Sequence, residues 1–293
     1  MSFMNVPKNV GRRGAPFIAP GGNQVGNYMV HVYTANGTFV PESEGVVDML
    51  LVAGGGGACG GGGGAGGFRE ITNITLTAQT YSVQVGAGGP GGNSHYGTAT
   101  KGDDSWLMNQ GGTKLYESSG GGAQNQFTLG VGYNAGSSGG SGAGGDTDAD
   151  GGPGNIGGYS PPEGFAGGGS PLINERAVGG GGGGASQVGG EGPGDGGDGK
   201  SNTYRGQGSQ FYAGGGGGGA WGHPQAGNVP GGEGGTGGGG DGGGNNHGVW
   251  GGPGNPGTAN TGGGGGAGQP SGANLNSSRG GSGIVIIRYA IDQ

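Results

Sequence analysis

The stretch that most constrains this chain runs from 179 to 199 and reads GGGGGGASQVGGEGPGDGGDG. Glycine loses more backbone freedom on folding than other residues, roughly 0.5–1 kcal/mol relative to alanine, and has no side chain to bury in return. With 96 glycines in 293 residues, such blocks must decide the fold. A chain of this kind is either disordered or held together by its own backbone. The second solution is the polyproline II helix, with three residues per turn, a rise of about 3.1 Å and no internal hydrogen bonds. Its N–H and C=O groups all point outward and need partners. Neighbouring glycine helices can supply them because no Cβ stands between, and weak Cα–H···O contacts add to the cohesion. Helices at the rim have a free face and tolerate isolated Asp, Ser, Pro or Asn, as in GGPGNIGG (151–158), GGEGGTGGGGDGGG (231–244) and GGPGNPG (251–257).

Composition excludes several classes of function. The apolar fraction is 28%, against roughly 45–50% in ordinary globular domains, too low for a conventional core. Eleven basic against 18 acidic residues give a net charge of −7, the wrong sign for general nucleic-acid binding. No apolar run reaches transmembrane length, and the first residues lack the apolar segment of a secretory signal. The expectation is therefore synthesis in a cytoplasm and no membrane insertion. The lone cysteine, Cys59, sits inside GGGGACGGGGG and reads as a small filler of a glycine lattice.

Local patterning suggests four parts. Residues 1–27 form an N-terminal arm, a candidate attachment segment. Residues 28–85 form a β framework with the first glycine block: a hairpin over 28–40 turning at Asn36-Gly37, an apolar central strand at 46–52, and a strand pair at 68–77 and 80–85. Residues 86–283 form a polyglycine II lobe with aromatic loops. Residues 284–293, beginning Ile284-Val285-Ile286-Ile287, supply a C-terminal strand that completes the framework. The fold class expected is mainly β plus a polyglycine II bundle, with essentially no α-helix.

Catalytic patterns in the lobe lack the context that chemistry needs. Gly194-x4-Gly199-Lys200-Ser201 satisfies the P-loop spacing, but no apolar strand precedes it and no helix pattern follows. Gly136-Ser137-Ser138-Gly139-Gly140 resembles a nucleophile elbow without strand, helix or base. Asp146, Asp148 and Asp150 alternate like the first half of a calcium loop, but the twelfth position is Gly157 where a bidentate glutamate is required. They are weak metal candidates, and no cofactor is expected. The chain reads as a non-enzymatic protein.

Four junctions carry a resemblance: VDMLLVAGGGG (47–57), GGAGGFRE (63–70), TYSVQVGAGG (80–89) and GGSGIVIIRY (280–289). Together they resemble the glycine-rich domain of bacteriophage tail-fibre and related virion proteins. The glycine blocks broken by aromatic loops are similar to the tail-fibre-tip adhesins of T-even-like phages. That resemblance implies a virion appendage whose distal loops bind a host surface receptor, protein or glycan. It also implies contacts to other virion proteins through the arm or the framework, with a homo-oligomer as a further option. Tyr and Trp give large contact area at low entropy cost, so Tyr204, Phe211, Tyr212, Trp221, His223, His247 and Trp250 are the receptor-binding candidates. The rival expectation is a purely architectural capsid or tail decoration.

Overall fold

The computed structural model describes residues 17–92, 99–124, 135–170, 177–221, 229–244, 252–268 and 278–291. These contain no helix and thirteen strands: β1 (Asn23–Val25), β2 (Tyr28–Tyr33), β3 (Gly37–Phe39), β4 (Gly45–Val52), β5 (Phe68–Leu76), β6 (Tyr81–Gln84), β7 (Ser105–Met108), β8 (Lys114–Ser118), β9 (Ala177–Val178), β10 (Lys200–Asn202), β11 (Gln210–Tyr212), β12 (Ala220–Trp221) and β13 (Ile284–Ala290). The fold is mainly β with essentially no α-helix.

Two antiparallel sheets make the framework, ordered β1-β2-β13-β4-β5 and β3-β6-β7-β8. Alternate residues of each point into a shared core of Val47, Met49, Leu51, Val285, Ile287 and Tyr289 from one sheet and Phe39, Tyr81, Val83 and Leu107 from the other. The near-continuous apolar runs of β4 and β13 have a second cause. The opposite face of the first sheet is also covered, so Leu50, Val52, Ile284 and Ile286 are buried as well. On that face Arg288 pairs with Asp48 at 3.1 Å.

Where the side chains stop, the strands continue as glycine runs. Successive donors in 53–58 go to three different neighbours and then repeat. Residues 53 and 56 reach 67 and 64, residues 54 and 57 reach 103 and 100, and residues 55 and 58 reach 281 and 278, all at 2.9–3.1 Å. This period of three identifies polyproline II geometry. Run 61–67 repeats it, donating to 180 and 183, to 265 and 262, and to 122 and 119. It accepts in turn from 144 and 141, from 216 and from 56. It is thus surrounded by other runs. A Cβ built on Gly216 would lie 1.9 Å from the carbonyl oxygen of Gly265, so the absence of a side chain is what makes the lattice possible.

Small Ala and Ser enter the interior, as at Ala65, Ser141 and Ala143, but Asp195, Asp198, Asp241, Pro90, Pro153 and Pro253 fall at the rim, for a reason visible in the same period. In run 194–199, residues 194 and 197 donate to 179 and 182, while 196 and 199 donate to 233 and 236. The remaining third is Asp195 and Asp198, whose carboxylates accept from the backbone N–H groups of Glu233 (2.7 Å) and Thr236 (2.9 Å). Asp241 accepts likewise from Gly234 at 2.9 Å. Rim carboxylates thus replace the carbonyls of an absent neighbour. Pro90, Pro153 and Pro253, which have no N–H, are exposed.

Several strand partners differ from those expected. β2 and β3 do not form a hairpin: β2 pairs with β1 and β13, and β3 with β6 in the other sheet. Asn36 marks the crossing between sheets and accepts from the Val85 N–H at 2.9 Å. β5 and β6 likewise belong to different sheets. The β7–β8 hairpin extends the framework past residue 85, and β1 extends it before residue 28. Phe17 and Ala19 are core residues, with Phe17 edge-on to Tyr289 at 4.6 Å between ring centroids. The described end of the N-terminal arm is therefore part of the framework.

His31 lies inside the framework, 5% exposed. Its ring meets Phe39 edge-on and stacks on Tyr289, and its Nε2 has no hydrogen-bond partner. Burial holds its pKa below 6.5. As the pH falls below about 6.5 the unfolded chain takes a proton that native His31 resists, so stability falls until the native pKa is passed. Chemical denaturation between pH 7 and pH 5 is expected to show a loss in the wild type exceeding that of His31→Phe by about 1.4 kcal/mol per unit of pKa difference. Gly216→Val is expected to cost on the order of 3 kcal/mol or more. Asp241→Asn, which keeps an acceptor at the rim, should stay within about 0.5 kcal/mol; thermal melts of both variants check the contrast.

Candidate functional site: the far end of the bundle

The framework occupies one end of the glycine runs, here called the near end. Runs begin or finish there at β4, β5, β6, β7, β8, β10, β11 and β13. At the opposite, far end a chain of contacts links the described tips. Gly92 donates to Ala58, Ala58 to Ser278, Ser278 to Gly266, Gly243 to Ala267, and Ala220 to Gly243. Trp221 pairs with Ala177 and Ala220 with Val178. Ala99 and Ala123 pack against Cys59. The chain therefore leaves and re-enters the bundle at the far end at 92/99, 124/135, 170/177, 221/229, 244/252 and 268/278. The described near-end turns at 185–187 and 236–238 are tight, and the longer ones, 155–163 and 203–209, are held by side chains, Asn155 to Tyr159 and Asn202 to Tyr204.

Two buried polar residues that the sequence reading did not single out hold the ends in place. At the far end Gln124, 1% exposed, accepts through its side-chain oxygen from the N–H groups of Gly60 and Gly61. At the near end Glu163, wholly buried, accepts from the N–H groups of Ser119 (2.9 Å) and Gly157 (3.2 Å) and from the Ser118 hydroxyl (3.3 Å). Both stand where a glycine run turns, and a side chain there substitutes for a missing neighbour. The only sequence signal is a long polar residue close to a glycine block.

The candidate anchors divide. Trp221 reaches the far end through its strand pairing with Ala177. His223, His247 and Trp250 lie outside the described residues. Tyr204, Phe211 and Tyr212 are at the near end, which corrects their placement on a displayed loop. Residues 200–212 form a hairpin of β10 and β11, and Tyr204 and Tyr212 are 4% and 3% exposed in the cluster covering the first sheet. The Tyr204 hydroxyl donates to Glu70 at 2.7 Å, and the Arg288 guanidinium stacks on its ring at 3.6 Å. Burial, reinforced by Glu70, raises its pKa. Phe211 is exposed. Trp106, in β7, belongs to the framework.

The aspartate triplet does not assemble. Asp146 is buried at the far end and accepts from the Thr147 hydroxyl at 2.9 Å, while Asp148 and Asp150 face solvent. Among the described residues no group of three or more His, Cys, Asp or Glu could hold a metal ion. The P-loop pattern is a glycine run entering β10, so its amides serve the lattice and do not cradle a phosphate. Burial and the nearby Asp146 push the Cys59 thiol up to about 12, which keeps it protonated.

A β framework prolonged into a polyglycine bundle defines a glycine-rich structural domain. The family model described as a glycine-rich domain matches residues 34–290, and the chain belongs to that family. No curated protein matches the chain.

Because Tyr212 fills the cover of the sheet, Tyr212→Ala should destabilise the protein by about 3–5 kcal/mol, the usual range for removing a buried aromatic side chain. Tyr204→Phe should cost less, about 0.5–1.5 kcal/mol, because water can replace the hydroxyl at the exposed Glu70 carboxylate. Denaturant titration of each variant measures both.

Proposed function

We propose that this chain is a bacteriophage virion protein, an adhesin of a tail fibre or tail tip that binds a host cell-surface receptor through the far end of its bundle. One observation carries the display half of this reading: the described residues that flank 93–98, 125–134, 171–176, 222–228, 245–251 and 269–277 all lie at the end opposite the framework. Those six segments contain Tyr96, Phe127, Tyr133, His223, His247 and Trp250, aromatic groups suited to anchoring a partner. A lattice fixed by backbone hydrogen bonds tolerates any sequence beyond its tips. That is what a binding protein with changeable loops on a rigid scaffold requires. The four strand–glycine junctions support the virion half by resemblance. The framework at the near end is then free to contact other virion proteins.

The near end supplies an internal control. Trp221→Ala and Trp250→Ala should each reduce adsorption of the particles to host cells by about tenfold or more, the size of a binding hot spot. Phe211→Ala, exposed at the near end, should leave adsorption unchanged. Normal adsorption by both tryptophan variants would remove the far end as the receptor site. Their failure to enter particles would favour the architectural decoration reading.

A further inference from the structure

A cleft beside the outer edge of β5 has features that neither the lattice nor the far end explains. Its volume is about 240 Å³, and its walls are Phe68–Thr72, Tyr159–Pro162 and Lys200. Three observations distinguish it from a packing gap.

First, its wall is built and fixed. Asn155, at a positive φ of 56°, holds both ends of Tyr159: its side-chain oxygen accepts from the Tyr159 N–H, and its side-chain nitrogen donates to the Tyr159 carbonyl, each at 3.1 Å. Buried Glu163 closes the same connection from the other side through Gly157. Second, two cations, Arg69 and Lys200, line the cleft against one carboxylate, Glu70, on a chain of net charge −7. The Arg69 guanidinium lies 3.6 Å over the Tyr159 ring and the Lys200 ammonium 5.8 Å from the Phe68 ring centroid. Arg69 donates one guanidinium N–H to the Glu117 backbone carbonyl at 2.6 Å, and neither cation is in an ion pair with a carboxylate among the described residues. Glu70, also in the wall, already accepts from the Tyr204 hydroxyl. Third, the strand edge is open. Phe68 N–H points away from β4 to the Glu163 carbonyl at 2.8 Å. By the two-residue alternation of a strand, the Glu70 N–H and C=O face the same way, into the cleft. Pro161 and Pro162 line the opposite side and bring no N–H to pair with that edge.

We propose that this cleft binds a carboxylate-bearing sugar of single-ring size. The cations receive the carboxylate, while the Glu70 backbone groups and the Thr72 and Ser160 hydroxyls meet the ring hydroxyls. Tyr159 and the prolines supply apolar faces. The space is below the roughly 300–1,000 Å³ of sites for drug-sized ligands, which limits the occupant to about one ring. The assignment does not rest on the far-end reading, since the cleft lies at the near end.

Ligand-observed NMR titration of the full chain with sodium glucuronate, and separately with glucose, tests it. Glucuronate is expected to bind at least tenfold more tightly than glucose, with affinity falling as salt is raised. Lys200→Gln, a change at an exposed side chain, should reduce glucuronate binding at least fivefold without altering the melting temperature. Equal binding of the two sugars, binding of neither, or glucuronate binding insensitive to Lys200→Gln would overturn the proposal. A tetraglutamate peptide that binds more tightly than glucuronate and is also weakened by Lys200→Gln would overturn the sugar assignment in favour of an acidic peptide on the strand edge.

Discussion

Everything in this protein depends on the hydrogen bond between backbones that no side chain separates. In a conventional sheet each strand shares its groups with two neighbours in one plane. Here the period of three turns successive donors of 53–58 toward three different runs, so cohesion spreads in two dimensions. The entropic penalty of ordering glycine is large. It is offset by satisfying nearly every backbone group in a water-poor interior, where an unpaired one would cost about 1–3 kcal/mol. Among the described residues alanine is the commonest buried substitute for glycine, both where runs meet the framework, as at Ala53, Ala65 and Ala185, and at the far end, as at Ala58, Ala123, Ala220 and Ala267.

The framework solves the problem that the lattice cannot. Parallel and antiparallel glycine runs have no side chains to specify register, whereas β4, β5, β6, β7, β8 and β13 set the starting position of the runs they feed. A one-residue slip of a strand would turn its buried side chains outward, and here it would also rotate the attached run by a third of a turn. The two apolar faces of β4 and β13 therefore fix the lattice as well as the sheet. Covering the outer face needs side chains that glycine runs lack. The β10–β11 hairpin brings Tyr204 and Tyr212 back over Leu50, Val52, Ile284 and Ile286 to supply them.

This division explains what was legible in the sequence. The runs were readable because an uninterrupted stretch such as 179–184 has only one ordered use, and the rim because its Asp and Pro residues interrupt runs at their open side. The strands at 46–52 and 284–289 were readable from continuous apolar character. Their partners were not, because alternation tells which residues share a face and not which strand lies alongside. Hence β2 and β3 looked like a hairpin although each joins a different sheet. Tyr204 and Tyr212 were misplaced for a related reason. In a chain poor in aromatics they stand out as display residues, yet they are the largest side chains that cover the sheet's outer face, beside Ala65, Ala185 and Ala213. Arg69, Tyr159 and Lys200, more than 40 residues apart from one another in sequence, meet only once the lattice has folded.

The lattice itself can be observed directly. Scalar couplings transmitted across hydrogen bonds, measured by NMR on deuterated protein, report which carbonyl accepts from which amide. The structure predicts correlations from the Gly62 amide to the Gly180 carbonyl, from Gly63 to Gly265 and from Gly64 to Gly122, three consecutive donors reaching three different runs. Correlations from consecutive donors to a single neighbouring segment, as in a flat ladder, or no couplings at all across these glycines, would contradict the polyglycine II account.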